Sequence, residues 1–177
     1  MRVPADTMHP SRRGRCRTAT AVTSALMLAG CGHAPARSDS LLQLAAPTTV
    51  VLHTHQVPGV GVVLADTAGH TVYLFPPDAD SRVTCTGPCA GTWPPLSITA
   101  SGEVAAGAGV HADQVGRTAD PNSGADVVTY AGHPLYRYAG DITPGTANGQ
   151  ALFLNSGPWY VLTAAGQPVT TTPTGTR

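Results

Sequence analysis

Asp78 and Asp141 close two matching stretches of this chain. Two carboxylates brought to one site could do acid–base work or hold a cation, which is the chemistry of a hydrolase. The structural reading is that each aspartate caps its own loop, its carboxylate accepting backbone N–H bonds as in an Asx turn. Cys85 and Cys89 are a second candidate group, spaced C-x₃-C with Gly87-Pro88 as a turn between them. Outside the cytoplasm such a pair defaults to a disulfide, here one that closes a very small loop and pins local geometry. A redox-active pair or two soft metal ligands are the alternatives, but the spacing is not thioredoxin's and no βαβ pattern surrounds it. His53 and His55 lie two apart on an expected strand and so share a face. His70 and His133 each follow a turn. Imidazoles on adjacent hairpins could bind copper or zinc; the structural reading makes them turn-flanking surface residues. No other cofactor is suggested.

Other reactive schemes lack their residues. There is no lysine for a Schiff base or a P-loop, no G-x-S-x-G, and Glu103 is the only glutamate. All three methionines (Met1, Met8 and Met27) fall in the first thirty residues, so none is left in the remaining chain for a copper-binding Met cluster. A Ser–His–Asp set would have to assemble from scattered residues.

The elements that must position these groups come as a pair. Ala68-Gly69-His70-Thr71-Val72-Tyr73-Leu74-Phe75-Pro76-Pro77-Asp78 returns as Ala131-Gly132-His133-Pro134-Leu135-Tyr136-Arg137-Tyr138-Ala139-Gly140-Asp141. Tyr73, Phe75 and Asp78 thus correspond to Tyr136, Tyr138 and Asp141, the marks of an internal repeat. Duplicating a fold unit repeats its structural residues automatically, so the doubled Tyr-x-aromatic-x-x-Asp needs no catalytic explanation. The tyrosines are expected as core or cross-strand contacts with their hydroxyls satisfied at the edge.

The surrounding pattern is β. Thr48 to His55 and Val60 to Ala65 are rich in β-branched residues. Thr67-Ala68-Gly69 reads as a tight turn, and His70 to Phe75 alternates, with Val72 and Leu74 on one face and Tyr73 and Phe75 on the other. Pro76-Pro77 stops that strand. In the second copy Asp126 to Tyr130 and His133 to Tyr138 are the strands, and Ala131-Gly132 is the turn. Each unit then runs through a long loop to a tryptophan, Trp93 or Trp159. Trp159 to Leu162 reads as a further strand and Ala165-Gly166 as a turn. A single helical turn is conceivable at Val110 to Val115; nothing else after residue 30 has a helical period. The expectation is an all-β domain in which two pseudo-repeated hairpin units form one small sheet or sandwich.

The chain's ends carry an address. Arg12, Arg13, Arg15 and Arg17 precede an apolar stretch, Thr18 to Leu28, and a small-residue cleavage site, Leu28-Ala29-Gly30. That stretch is far short of the roughly 20 residues that span a bilayer. Cys31 follows at once, and Leu-Ala-Gly-Cys resembles a lipobox, in which the Cys thiol receives a diacylglycerol and becomes the new N-terminus; an ordinary secretory signal is the alternative. Arg12-Arg13 is a weak sign of twin-arginine export. Residues 1–30 are thus read as signal and 31–47 as lipidated Cys and tether. The β domain is 48–169, with repeats at about 57–96 and 124–162, and 170–177 is a disordered tail. From residue 31 on, five arginines face nine acids, a net charge of −4 with His neutral, which argues against nucleic acid as a partner.

The repeated motif, Cys85-Thr86-Gly87-Pro88-Cys89-Ala90, Trp93-Pro94-Pro95-Leu96 and Tyr130 to Tyr136 stand in the order of one family. From Val57 to Leu162 the chain resembles bacterial lipoproteins with the Yx(FWY)xxD motif, the secreted repeat of unknown function. The resemblance implies export, lipidation and a tandem repeat, but no activity. Val72 departs conservatively from the family's frequent Leu. A lipid-anchored envelope protein follows, non-enzymatic, with the membrane as one partner and a protein or small ligand as another. A metal- or redox-handling protein is the alternative reading, and a hydrolase using Asp78 and Asp141 the third.

Overall fold

The computed structural model describes residues 49–172. The signal (1–30), the lipidated Cys and tether (31–47), and residue 48 lie outside the described residues. So do residues 173–177.

Two β-rich strands open the domain. β1 (Thr49–Val57) turns through Pro58 and Gly59 into β2 (Gly61–Ala65), paired antiparallel from His53 opposite Ala65 to Val57 opposite Gly61. Asp66 ends β2 by taking the turn in hand. Its Oδ1 accepts from the amides of Ala68 at 2.8 Å and His70 at 3.1 Å, and Gly69 supplies the left-handed residue at φ 81°. The returning strand, β3 (Tyr73–Leu74), carries the first motif. A five-residue helix, α1 (Pro88–Thr92), follows, then β4 (Ser97–Ile98) and β5 (Glu103–Ala106). The second copy uses β6 (Val115–Ala119), β7 (Asp126–Tyr130) and β8 (His133–Pro134). It ends with β9 (Phe153–Leu154), β10 (Gly157–Pro158) and β11 (Tyr160–Val161).

The β reading holds: the domain is several small sheets with one short helix. Two local expectations change and one is met. Gly87-Pro88 is not a simple turn, because Pro88 starts α1, where its fixed φ and missing N–H suit a first helical position. The helical turn expected at Val110 to Val115 is one 3₁₀ turn at Ala112–Gln114, and Val115 already belongs to β6. The strand expected from His133 to Tyr138 is a ladder only at His133–Pro134, with an isolated bridge at Tyr136. Moreover, the tail expected from Thr170 is still tied at its start. Gln150 Nε2 donates to the carbonyls of Val169 at 2.5 Å and Thr171 at 3.0 Å.

The centre of the domain is where the two copies meet. Tyr73 N donates to Tyr136 O and Tyr136 N to Tyr73 O, both at 2.9 Å, an antiparallel bridge between the two motif tyrosines. On its other edge the Tyr73 strand pairs with Val161, whereas the Tyr136 strand pairs with Pro95. The order across this ribbon is therefore the Trp159 strand, the Tyr73 strand, the Tyr136 strand and the Trp93 strand. Each copy's tryptophan segment is paired to the other copy's tyrosine strand. The hairpins repeat the exchange: Leu64 N donates to Leu162 O and Val128 N to Leu96 O, both at 2.9 Å.

Because side chains alternate along a strand, the ribbon buries both faces. Val72, Leu74, Leu96, Val128, Leu135 and Leu162 enter one core; Tyr73, Phe75, Trp93, Tyr136, Trp159 and Val161 enter the other. Both cores draw on both copies, so neither copy can bury its apolar surface alone. Expressed as separate chains, residues 49–106 and residues 107–172 should each lack a cooperative urea transition as monomers. Mixing them should restore it. A half that unfolds cooperatively as a monomer would show that the exchange is dispensable.

Candidate functional site

The motif tyrosines point into the second core, where strand alternation sends every other side chain. Tyr73 Oη donates to Asp141 Oδ2 at 2.5 Å, and Tyr136 Oη donates to Asp78 Oδ2. The pairs are crossed: each copy's tyrosine is held by the other copy's aspartate. Pro76 and Pro77 stop the first strand, and the chain there turns Asp78 back inward to a position only 2% exposed. Asp141 is 5% exposed.

The remaining carboxylate oxygens hold the loops that follow. Asp78 Oδ1 accepts from Thr84 N at 2.8 Å and Thr84 Oγ1 at 2.5 Å. Asp141 Oδ1 accepts from Asn148 N at 2.7 Å, and Thr146 Oγ1, which gives its proton to Thr143 O at 2.7 Å, lies 3.3 Å away. The second copy's loop also closes onto the tyrosine that its aspartate holds, since Gly149 N donates to Tyr73 Oη at 3.2 Å. Two expectations are thereby corrected. The hydroxyls are not satisfied at an edge but deep in the core. The aspartates do bond backbone amides, but across whole loops of six and seven residues, a wider span than an Asx turn. Burial, then the hydrogen bond to the aspartate, pushes the pKa of both phenols up, so each remains a donor across the physiological range.

Four aromatic rings stack beside these pairs. Trp93 and Trp159 lie parallel, centroids 3.9 Å apart at an interplanar angle of 1°. Phe75 covers Trp159 at 4.3 Å and Tyr138 covers Trp93 at 4.4 Å. Tyr73 meets Trp93 edge-on at 5.3 Å, and Tyr136 meets Trp159 edge-on at 5.1 Å. Edge-on and offset contacts of this kind each add about 0.5–1.5 kcal/mol beyond area burial. The third motif position is aromatic because it caps this stack.

The other candidates take separate places. Cys85 and Cys89 form a disulfide with Cα atoms 5.2 Å apart. Asn122 docks on its loop, accepting from Gly87 N at 3.1 Å and donating to Cys85 O at 3.3 Å. Asp120 fixes Asn122. Burial alone would raise the Asp120 pKa, but hydrogen bonds from Asn122 and Ser123 outweigh it, and the carboxyl lies below its ordinary value. His53 and His55 do share a face, with ring centroids 6.4 Å apart. Thr71 Oγ1 gives its proton to Thr146 O, so His55 must donate from Nε2 to Thr71. Burial and the neighbouring His53 lower the His55 pKa. His70 stays in the Asp66 turn and His133 in the β7–β8 pair. Among the described residues no group of three or more His, Cys, Asp or Glu side chains could hold a metal ion. An open cavity of about 380 Å³ lies between Val57, Pro58 and Val60 and the segment from Gly145 to Gln150, and none of the candidate residues lines it.

Thr84, Asn148 and the cross-copy ion pair of buried Asp66 with Arg137 were not singled out by sequence. The two tryptophans were, and their matching places after the motif were the signal for a shared contact. Both copies are similar to the secreted repeat of unknown function. That family's model matches residues 57–97 and 117–163, one stretch in each copy. No curated protein and no solved structure matches the chain. A secreted-repeat family fits an extracytoplasmic domain, and among the described residues no helix is long and apolar enough to cross a membrane. In this domain the Tyr-x-aromatic-x-x-Asp residues of the two copies form one interlock.

Removing either phenolic hydroxyl leaves a buried carboxylate oxygen short of a donor. Tyr73→Phe and Tyr136→Phe should each lower the urea unfolding free energy by about 1.5–3 kcal/mol. Tyr160→Phe, at a half-buried tyrosine outside both motifs, should stay within about 0.5 kcal/mol. Equal small effects at all three positions would contradict the interlock.

Proposed function

We propose that this chain is an exported, lipid-anchored envelope lipoprotein whose β domain is a non-enzymatic binding or structural module. One observation carries the non-enzymatic part. Asp78 and Asp141, the carboxylates of the duplicated motif, are buried and each is engaged by a tyrosine and a backbone amide, Asp78 by a threonine hydroxyl as well. A general acid, base or nucleophile has to reach a substrate, and these oxygens face protein. The family description, a secreted repeat, fits an exported repeat module.

The anchor rests on the sequence. Cys31 stands directly after Leu28-Ala29-Gly30, at the place lipid transfer requires. Two or more acyl chains, at about 0.8 kcal/mol per buried CH₂, hold a protein stably at a membrane. Seventeen residues (32–48) then separate that anchor from the first described strand. The module is therefore read as a compact body displayed at the membrane surface, its partner a protein or small ligand of the envelope.

Replacing Cys31 with Ser in the full chain should move the protein from the membrane fraction to the soluble exported fraction. Its urea transition should not change. A variant that still sediments with membranes after a high-salt wash would overturn the anchor while leaving the β domain's architecture untouched.

A further inference from the structure

We propose that Asn148–Gly149 is a latent site of spontaneous deamidation, held shut in the folded protein by the Tyr73–Asp141 pair. Asparagine followed by glycine is chemically labile because the next residue offers no side chain to hinder ring closure. The Gly149 nitrogen attacks Cγ of Asn148 and forms a five-membered imide. The bond from Cγ to Nδ2 breaks, and Nδ2 leaves as ammonia, taking up the proton lost from the Gly149 nitrogen. Water then opens the imide at either carbonyl, giving aspartate or isoaspartate. Only water is consumed.

The fold demands the labile pair. A Cβ at position 149 would lie 2.7 Å from Trp93 Cη2 and 3.0 Å from Tyr73 Cε1, so the Trp stack admits only glycine there. Yet the same packing disarms it. The attacking nitrogen is buried and its N–H donates to Tyr73 Oη at 3.2 Å. The preceding amide, Asn148 N, is fixed to Asp141 Oδ1 at 2.7 Å, and Asn148 Nδ2 donates to Gly140 O at 3.4 Å. To reach Cγ, the Gly149 nitrogen must turn away from Tyr73 while its neighbour stays tied to Asp141. The exposed Asn148 side chain and its buried neighbour therefore react only when this corner opens. Opening has a lasting consequence. Isoaspartate adds a backbone atom between two amides that must reach one Tyr–Asp pair together, so a chain carrying isoaspartate cannot reclose the corner as before. The first copy has Thr84-Cys85 at the corresponding corner and carries no such liability.

The test is peptide mapping of the full chain after mildly alkaline incubation, reading isoaspartate and aspartate at position 148. Wild-type protein in native buffer should convert at least about tenfold more slowly than the same protein unfolded in urea. Tyr73→Phe should raise the native rate about tenfold, the worth of one lost hydrogen bond. Tyr136→Phe breaks the sister pair at similar cost but leaves the Gly149 acceptor in place, so its rate should stay near wild type. Equal rates for folded and unfolded wild type would overturn the proposal, a comparison that stands even if Tyr73→Phe fails to fold. So would a folded Tyr73→Phe that converts at the wild-type rate, or the same rise in both phenylalanine variants.

Discussion

Tyr73 and Tyr136 exchange both of their backbone hydrogen bonds and then hand their hydroxyls to each other's aspartates. This single contact sets the geometry of the domain. It aligns the two motif strands antiparallel and puts a tryptophan strand on each outer edge. Trp93 and Trp159 are thereby carried onto one another. The buried carboxylates are tolerable only because each has several donors, among them a phenol whose proton burial retains. Each carboxylate thus ties the other copy's tyrosine to its own following loop. The duplication is thus a pseudo-dimer within one chain, with the pairing elements exchanged as in a domain swap.

The motif's three positions consequently have distinct physical duties. The tyrosine crosses to the other copy, the next aromatic caps the ring stack, and the aspartate gathers the crossing hydroxyl and its own following loop. Their symmetry reflects packing. The copies diverge between the aspartate and the tryptophan. There the first copy has a disulfide and a five-residue helix, whereas the second has the β9–β10 hairpin, with Phe153 exposed, and the Asn148–Gly149 corner. A module whose centre is committed to its own fold has these loops as its freely varying surface.

Much of the local structure was legible. His70 to Phe75 alternates with period two, and the faces divided as expected between the two cores. Asp126 to Tyr130 is a strand with those bounds. The cysteines declared their bond through spacing and compartment. The crossing was not legible, because a periodic pattern fixes which way a side chain faces but not which strand lies beside it. The same limit hid the parallel pairing of β1 with β5, Thr49 opposite Glu103, which joins segments about fifty residues apart. The β9–β10 turn was hidden differently. Asn155 and Ser156 adopt φ of 55° and 69°, where a glycine would have signalled the turn. At the candidate site, Asp78 and Asp141 were found, but their tyrosine partners lie 58 and 68 residues away, beyond any local spacing rule.

Native-state hydrogen exchange is the most direct test of the interlock. It reads the opening free energy of each amide. The amides of Tyr73 and Tyr136, with those of Leu64 and Val128, bridge the copies at 2.9 Å. All four should exchange only through the global unfolding transition, with one common free energy and one denaturant dependence. If Tyr73 and Leu64 instead opened at a markedly lower free energy than Tyr136 and Val128, the copies would be separate folding units and the interlock would not be what holds the domain together.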